Sequence, residues 1–205
     1  MSKFGKIFNK VDMFDIFYRH YQTFYHYGKK KFYGQEVVPI EDKLLFLLLP
    51  FCISITLCVL GLRFNKDYLN VTLVCLSIFV GLLFGLLTMV FGLIQEHKQI
   101  KIEDIKTEEK PTVEATLDLT KELFVNIAFT IALSILTIIF VLLTQFYPIV
   151  LVNFIQKLEC FNLVKNIYLN FTNGVSFFLI TEFLLTLMLV LKKFTILFAK
   201  SNNNY

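Results

Sequence analysis

Metal-ligating and redox-active side chains are scarce in this chain of 205 residues, which holds three histidines and four cysteines. The histidines are His20, His26 and His97, and Cys52, Cys58, Cys75 and Cys160 form no Cys-x-x-Cys pair. That excludes a zinc site of ordinary ligand spacing. Three of the cysteines lie within apolar runs, where a free thiol behaves as a small apolar side chain. Catalytic motifs are missing too. The chain has no Gly-x-Ser-x-Gly, no His-Glu-x-x-His, no phosphate loop, and no paired Asp or His inside an apolar run. No enzyme activity, no metal and no cofactor are therefore expected. The first 42 residues are polar and aromatic, without the short apolar core of a cleaved signal peptide.

Apolar residues are abundant. They make up 56% of the chain, and the mean hydropathy is +0.65, where soluble domains are roughly 45–50% apolar. Four runs stand out, at 44–62, 71–94, 123–152 and 174–191, the last with Glu182 as its only charge. Each is near or above the roughly 18–20 residues that cross a bilayer as a helix. None has the period of two that a membrane strand requires. The expected fold is all-α: a polytopic membrane protein with four transmembrane helices and an N-terminal cytosolic amphipathic helix. Its expected layout is a basic, aromatic segment at 1–42, a first hairpin at 43–94 and a charged loop at 95–121. A second hairpin follows at 122–200 with an outer amphipathic loop, and then a tail at 201–205.

Charge sets the expected orientation. Sixteen Lys and Arg fall in the segment to Lys43, the 95–121 loop and the stretch from Lys192 onward, against Arg63, Lys66, Lys157 and Lys165 on the other side. Both termini should therefore be cytoplasmic, in a cell inner membrane. The 95–121 loop reads as a solvated connector broken by Pro111, with Asp118 as N-cap of the third helix; a cytoplasmic extension of the flanking helices is the alternative. In the outer loop, Val150, Phe154, Leu158, Phe161 and Val164 follow a helical stripe suited to the membrane surface. Asn70-Val-Thr and Asn170-Phe-Thr are glycosylation sequons without meaning in a bacterium.

Several positions carry a functional expectation. Phe14, Phe17, Tyr18, Tyr21, Phe24 and Tyr25 share one face of a leader helix, an interfacial anchor or a packing surface between subunits. Ser77, Gly81 and Gly85, followed by Thr88 and Gly92, form a small-residue stripe for helix packing, within one subunit or between subunits. Asn126, Thr130, Ser134, Thr137, Thr144 and Gln145 fall within an arc of about 100° on the third helix. Unpaired polar groups avoid lipid, so this stripe either bonds neighbouring helices or lines an aqueous path. Glu182, with Thr186 and Lys193 on its face, adds a mid-membrane carboxylate that is either protonated or wet.

The stretch HYGKKKFYG, at 26–34, joins three lysines to aromatic rings. Attraction to anionic lipid is one reading. A phosphate-bearing ligand is the other, a nucleotide or single-stranded DNA held by Lys29, Lys30, Lys31, His26 and Arg19, with Tyr27 and Tyr33 stacking on bases.

With its basic aromatic leader ending in GKKKFYGQEVVPIEDK, four spans in about 200 residues and no enzymatic motif, the chain resembles in architecture the small four-span membrane proteins of bacterial anti-phage defence. The Hailong-type tetrameric channel is the nearer type and the membrane subunit of Kiwa the second. The resemblance implies an oligomeric membrane effector or sensor, controlled by a cytosolic partner protein or a nucleotide signal. The expected function is a homo-oligomeric ligand-gated ion channel or pore, with a non-conducting scaffold that recruits a cytosolic effector as the alternative. The lipid bilayer is the expected partner in either case.

Overall fold

The computed structural model describes residues 13–23, 44–99, 110–145 and 161–202. Every regular element among them is helical: α1 (Met13–Gln22), a π-helical turn (Leu44–Leu48) leading into α2 (Leu49–Val59), α3 (Lys66–Gln99), α4 (Lys110–Leu143) and α5 (Phe161–Asn202). Three helices are long and apolar enough to cross a membrane, over Lys66–Glu96, Val113–Leu143 and Leu163–Ala199.

The first expected span differs. Its apolar helical stretch is Leu44–Val59, about 24 Å at 1.5 Å per residue, short of the roughly 30 Å hydrocarbon core. Gly61 ends it. With φ +73, Gly61 donates its N–H to the Cys58 carbonyl, and Leu62 donates to the Leu57 carbonyl. These two bonds close a Schellman motif, which needs a left-handed residue after the helix. Pro50 shapes the other end. It has no N–H for the carbonyl four residues back and its ring crowds that carbonyl, so the chain enters through the wider π-helical turn. Asn65 then starts α3, its Oδ1 accepting from the Tyr68 N–H at 2.8 Å, and Asp67 adds an acid to the first turn.

The charged connector is shorter than expected, because α3 runs to Gln99 and α4 begins at Lys110. Pro111 sits in the first turn of α4, where a missing N–H costs nothing. Asp118 is accordingly not an N-cap. It lies inside α4, paired with Lys121 at 3.3 Å.

The chain divides into two compact units. The described residues of one are 13–23, 82–99, 110–132 and 186–202; those of the other are 44–81, 133–145 and 161–185. In the first, Leu119, Leu123, Ile127, Phe129, Val90 and Val190 form the core. In the second, Leu76, Leu133, Val141, Leu179 and Phe183 do so. The buried residues of α3 are Leu69, Leu76, Leu83 and Val90, spaced by seven. That is a one-residue seam of coiled-coil type, so only 17% of its apolar window is buried, against 50% for α4. On α5 the buried positions Thr172, Ser176, Leu179, Phe183, Thr186, Val190, Lys193 and Leu197 alternate steps of four and three, again a heptad seam, with Asn173 buried beside it.

Close packing in the second unit occurs between α2 and α5. Ser54 Oγ donates to the Gly174 carbonyl at 2.6 Å, and a Cβ on Gly174 would meet Cys58 Sγ at 3.4 Å. The turn after α2 is held through Phe64. Its N–H donates to Asn173 Oδ1 at 3.1 Å, its carbonyl accepts from Gln145 Nε2 at 3.2 Å, and its ring stacks on Phe177.

Candidate functional site

In the first unit, polar side chains from α1, α4 and α5 meet in one buried cluster. His20 and Thr23 come from α1 and the residue closing its last turn, Glu122 and Asn126 from α4, and Lys193 from α5. His20, at 2% exposure, stacks on the Phe129 ring with centroids 3.7 Å apart and planes 10° from parallel. Phe17, one turn earlier, meets the same ring edge-on at 4.8 Å. The face of α1 that carries Phe17 and His20 is thus the one turned to protein, while Tyr18 is 66% exposed.

Lys193 Nζ donates to Glu122 Oε2 and to the Thr23 carbonyl, both at 3.1 Å. It therefore caps the C-terminal end of α1 from another helix, where the helix dipole favours a cation. A buried ion pair is costly unless its remaining donors are satisfied, and the Thr23 carbonyl takes one of them.

The Thr23 hydroxyl has one proton and two acceptors in reach, the His20 carbonyl at 2.8 Å and Asn126 Oδ1 at 2.7 Å. His20 Nδ1 lies 2.8 Å from the same Oδ1, while Asn126 Nδ2 is buried with no partner among the described residues. Half a turn of the Asn126 amide resolves both points. Nδ2 then donates to His20 Nδ1 and to Thr23 Oγ1, and Thr23 gives its proton to the His20 carbonyl. This arrangement requires a neutral His20 protonated on Nε2. The electrostatics agree: burial pushes the imidazole down to about 4, and the Lys193 charge adds to the lowering.

Of the expected path-lining residues, Asn126, Thr130, Ser134 and Thr137 are fully buried within the chain, and Thr144 and Thr186 nearly so. The hydroxyls of Thr130, Thr137 and Thr144 donate to carbonyls of their own helix, at Asn126, Leu133 and Val141. An aqueous path along this stripe would have to run inside a single protomer. Gln145 is exposed and holds the Phe64 carbonyl, and Glu182 is half-buried, with Oε2 unpartnered among the described residues.

Ser77, Gly81 and Gly85 are exposed, as are Thr88 and Gly92, and a Cβ on any of the three glycines would meet nothing within 4 Å. Arg19 is exposed on α1. His26, Tyr27, Lys29, Lys30, Lys31 and Tyr33 lie outside the described residues, as do Phe24 and Tyr25 of the aromatic leader face and most of the outer-loop stripe.

Sequence reasoning missed His20, Thr23, Glu122 and Phe129. One signal was available. Glu122 directly precedes the third apolar run and Lys193 closely follows the fourth, so antiparallel spans would bring these opposite charges to one depth.

Comparison with protein-family models, with curated proteins and with solved structures finds no match to this chain.

Proposed function

We propose that this protein is a homo-oligomeric ion channel or pore of the bacterial inner membrane, controlled from its cytosolic side, with the copies meeting on α3. In this reading both termini are cytosolic and Leu44–Val59 serves as the fourth span, local bilayer thinning absorbing its shortfall. The architectural resemblance adds a setting, an effector of anti-phage defence responding to a nucleotide or single-stranded nucleic acid.

The observation that carries the reading is the uncovered face of α3. Asn70, Ser77, Gly81, Gly85, Thr88, Gly92 and Gln95 are all exposed and fall within about 80° at 100° per residue. Its buried seam lies on the opposite side. Glycine in a helix costs about 1 kcal/mol relative to alanine, a cost without return against lipid. A close-approaching helix of a second copy, or a path between copies, gives it one.

A second reading, the non-conducting scaffold, draws on a different observation. The α4 hydroxyls spend their protons on their own helix inside the protomer, which suits packing better than a wet wall.

Conductance separates the two. Purified protein reconstituted in planar bilayers should give unitary currents, and changing Gly81 and Gly85 together to Leu should abolish them. A defined oligomer without current overturns the channel and leaves the scaffold.

A further inference from the structure

We infer that α1 is a detachable strap, held on α4 and α5 by the Lys193 bond to the Thr23 carbonyl and by Asn126, and that its docked position is the closed state of the protein. The inference rests on the channel reading for what the strap controls; the docking itself is read independently of any current.

The first observation is the chemistry of the seat. The described contacts of the docked helix include two polar ones, the Lys193 ammonium and the Asn126 amide, beside the Phe129 ring. Leaving an apolar seat exposes apolar surface to water, at a cost that grows with area. Leaving a polar seat exchanges protein hydrogen bonds for water bonds, with a small net change for each. The polar part of the seat can therefore exchange its bonds for water when the element leaves, as at transient interfaces.

The second observation is what Lys193 does in each state. Docked, it serves two acceptors on two elements, Glu122 of α4 and the carbonyl of Thr23. Released, it keeps Glu122, so α4 and α5 lose no ion pair when the strap departs. The charge of Lys193 is compensated in both positions, as a two-state element requires.

The third is location in the chain. Thr23 is followed three residues later by HYGKKKFYG, the stretch best suited to a phosphate-bearing ligand. A ligand there acts on the strap through a few residues of chain. Tyr18, exposed on α1, lies away from the contacts of Phe17 and His20 with Phe129.

The test uses the full chain in nanodiscs, its native cysteines replaced. Spin labels at Tyr18→Cys and Thr195→Cys read α1 against α5, and labels at Lys121→Cys and Thr195→Cys read α4 against α5. The parent should give a dominant short distance for the first pair. Lys193→Met removes a charged donor from the Thr23 carbonyl, and should lower the docked-to-released ratio about tenfold or more. Asn126→Leu should do likewise. The α4–α5 distance should stay unchanged in both variants. An unchanged first distance in Lys193→Met overturns the strap. So does a simultaneous change in both pairs, which makes Lys193 a determinant of the bundle instead. If release occurs with no current in any variant, the strap stands and the channel reading falls.

Discussion

Acidification should release α1, and the size of the effect follows from His20. Docked, the imidazole is held at about 4 instead of its ordinary 6.5 by burial, with the Lys193 charge adding to the lowering. Released, it returns to the ordinary value. A depressed histidine favours the docked state in its neutral form, so docking is at full strength above pH 6.5. It weakens as pH falls from 6.5 and reaches a floor below about 4. The whole gap is worth about 3 kcal/mol at 1.36 kcal/mol per pH unit. At about pH 5 the loss is about 2 kcal/mol, a roughly thirtyfold fall in the docked-to-released ratio. Asn126 and Phe129 of α4 contact the ring, and Lys193 of α5, paired with Glu122, acts on it through its charge. The measurement is a difference between two proteins. The Tyr18–Thr195 label distance is followed from pH 7 to 4 in the parent and in His20→Gln, which keeps a polar side chain and does not titrate. The parent should lose docked population between pH 6.5 and 5 and His20→Gln should be flat there. Equal pH curves for the two proteins would refute the assignment of a buried, neutral His20.

Other outcomes are expected from single positions. Gly61→Ala should destabilise the protein by about 1–2 kcal/mol in chemical denaturation, because the cost is left-handed backbone alone, with open space around the added Cβ. Gly174→Leu should cost more, since its Cβ starts 3.4 Å from Cys58 Sγ and its branches must push α2 off α5; a melting temperature like the parent's would exclude that crossing. Glu182→Gln should shift cation-over-anion selectivity if the carboxylate borders the path, and should be silent if it is buried and protonated. Neutralising Lys29, Lys30 and Lys31 should abolish salt-sensitive binding of short single-stranded DNA or nucleotides, measured by fluorescence anisotropy at two ionic strengths; equal binding by the lysine-free variant would return the stretch to a membrane-surface anchor.

Much of the fold was legible because hydropathy is a local property. Runs 71–94 and 174–191 lie within long helices, and the larger part of 123–152 lies in α4, since an uncharged run of that length has few other solutions in lipid. Boundaries were less legible. Pro111 and Asp118 read as a break and a cap, yet the helix begins at Lys110, because proline in a first turn is silent about which side of it the helix lies. The run at 44–62 is expected as a full span, and among the described residues its apolar helix covers Leu44–Val59; Gly61, which closes it, is plain in the sequence, but its left-handed conformation became visible only with the Schellman bonds.

The polar stripe on the third apolar run shows where the sequence stops. Its residues determine by themselves that one face of the helix avoids lipid, because hydroxyls and amides cost energy in hydrocarbon. Whether that face meets water or protein depends on what lies across from it. In the tertiary structure Asn126, Thr130, Ser134 and Thr137 are buried within the protomer, and the small-residue face of α3 is exposed. The same holds for the cluster under α1. Composition supplies one basic and one acidic residue at the edges of two apolar runs, but the joining of Lys193 to Glu122 and to a carbonyl 170 residues away is a long-range contact. No local period encodes it, because it depends on how α1, α4 and α5 converge.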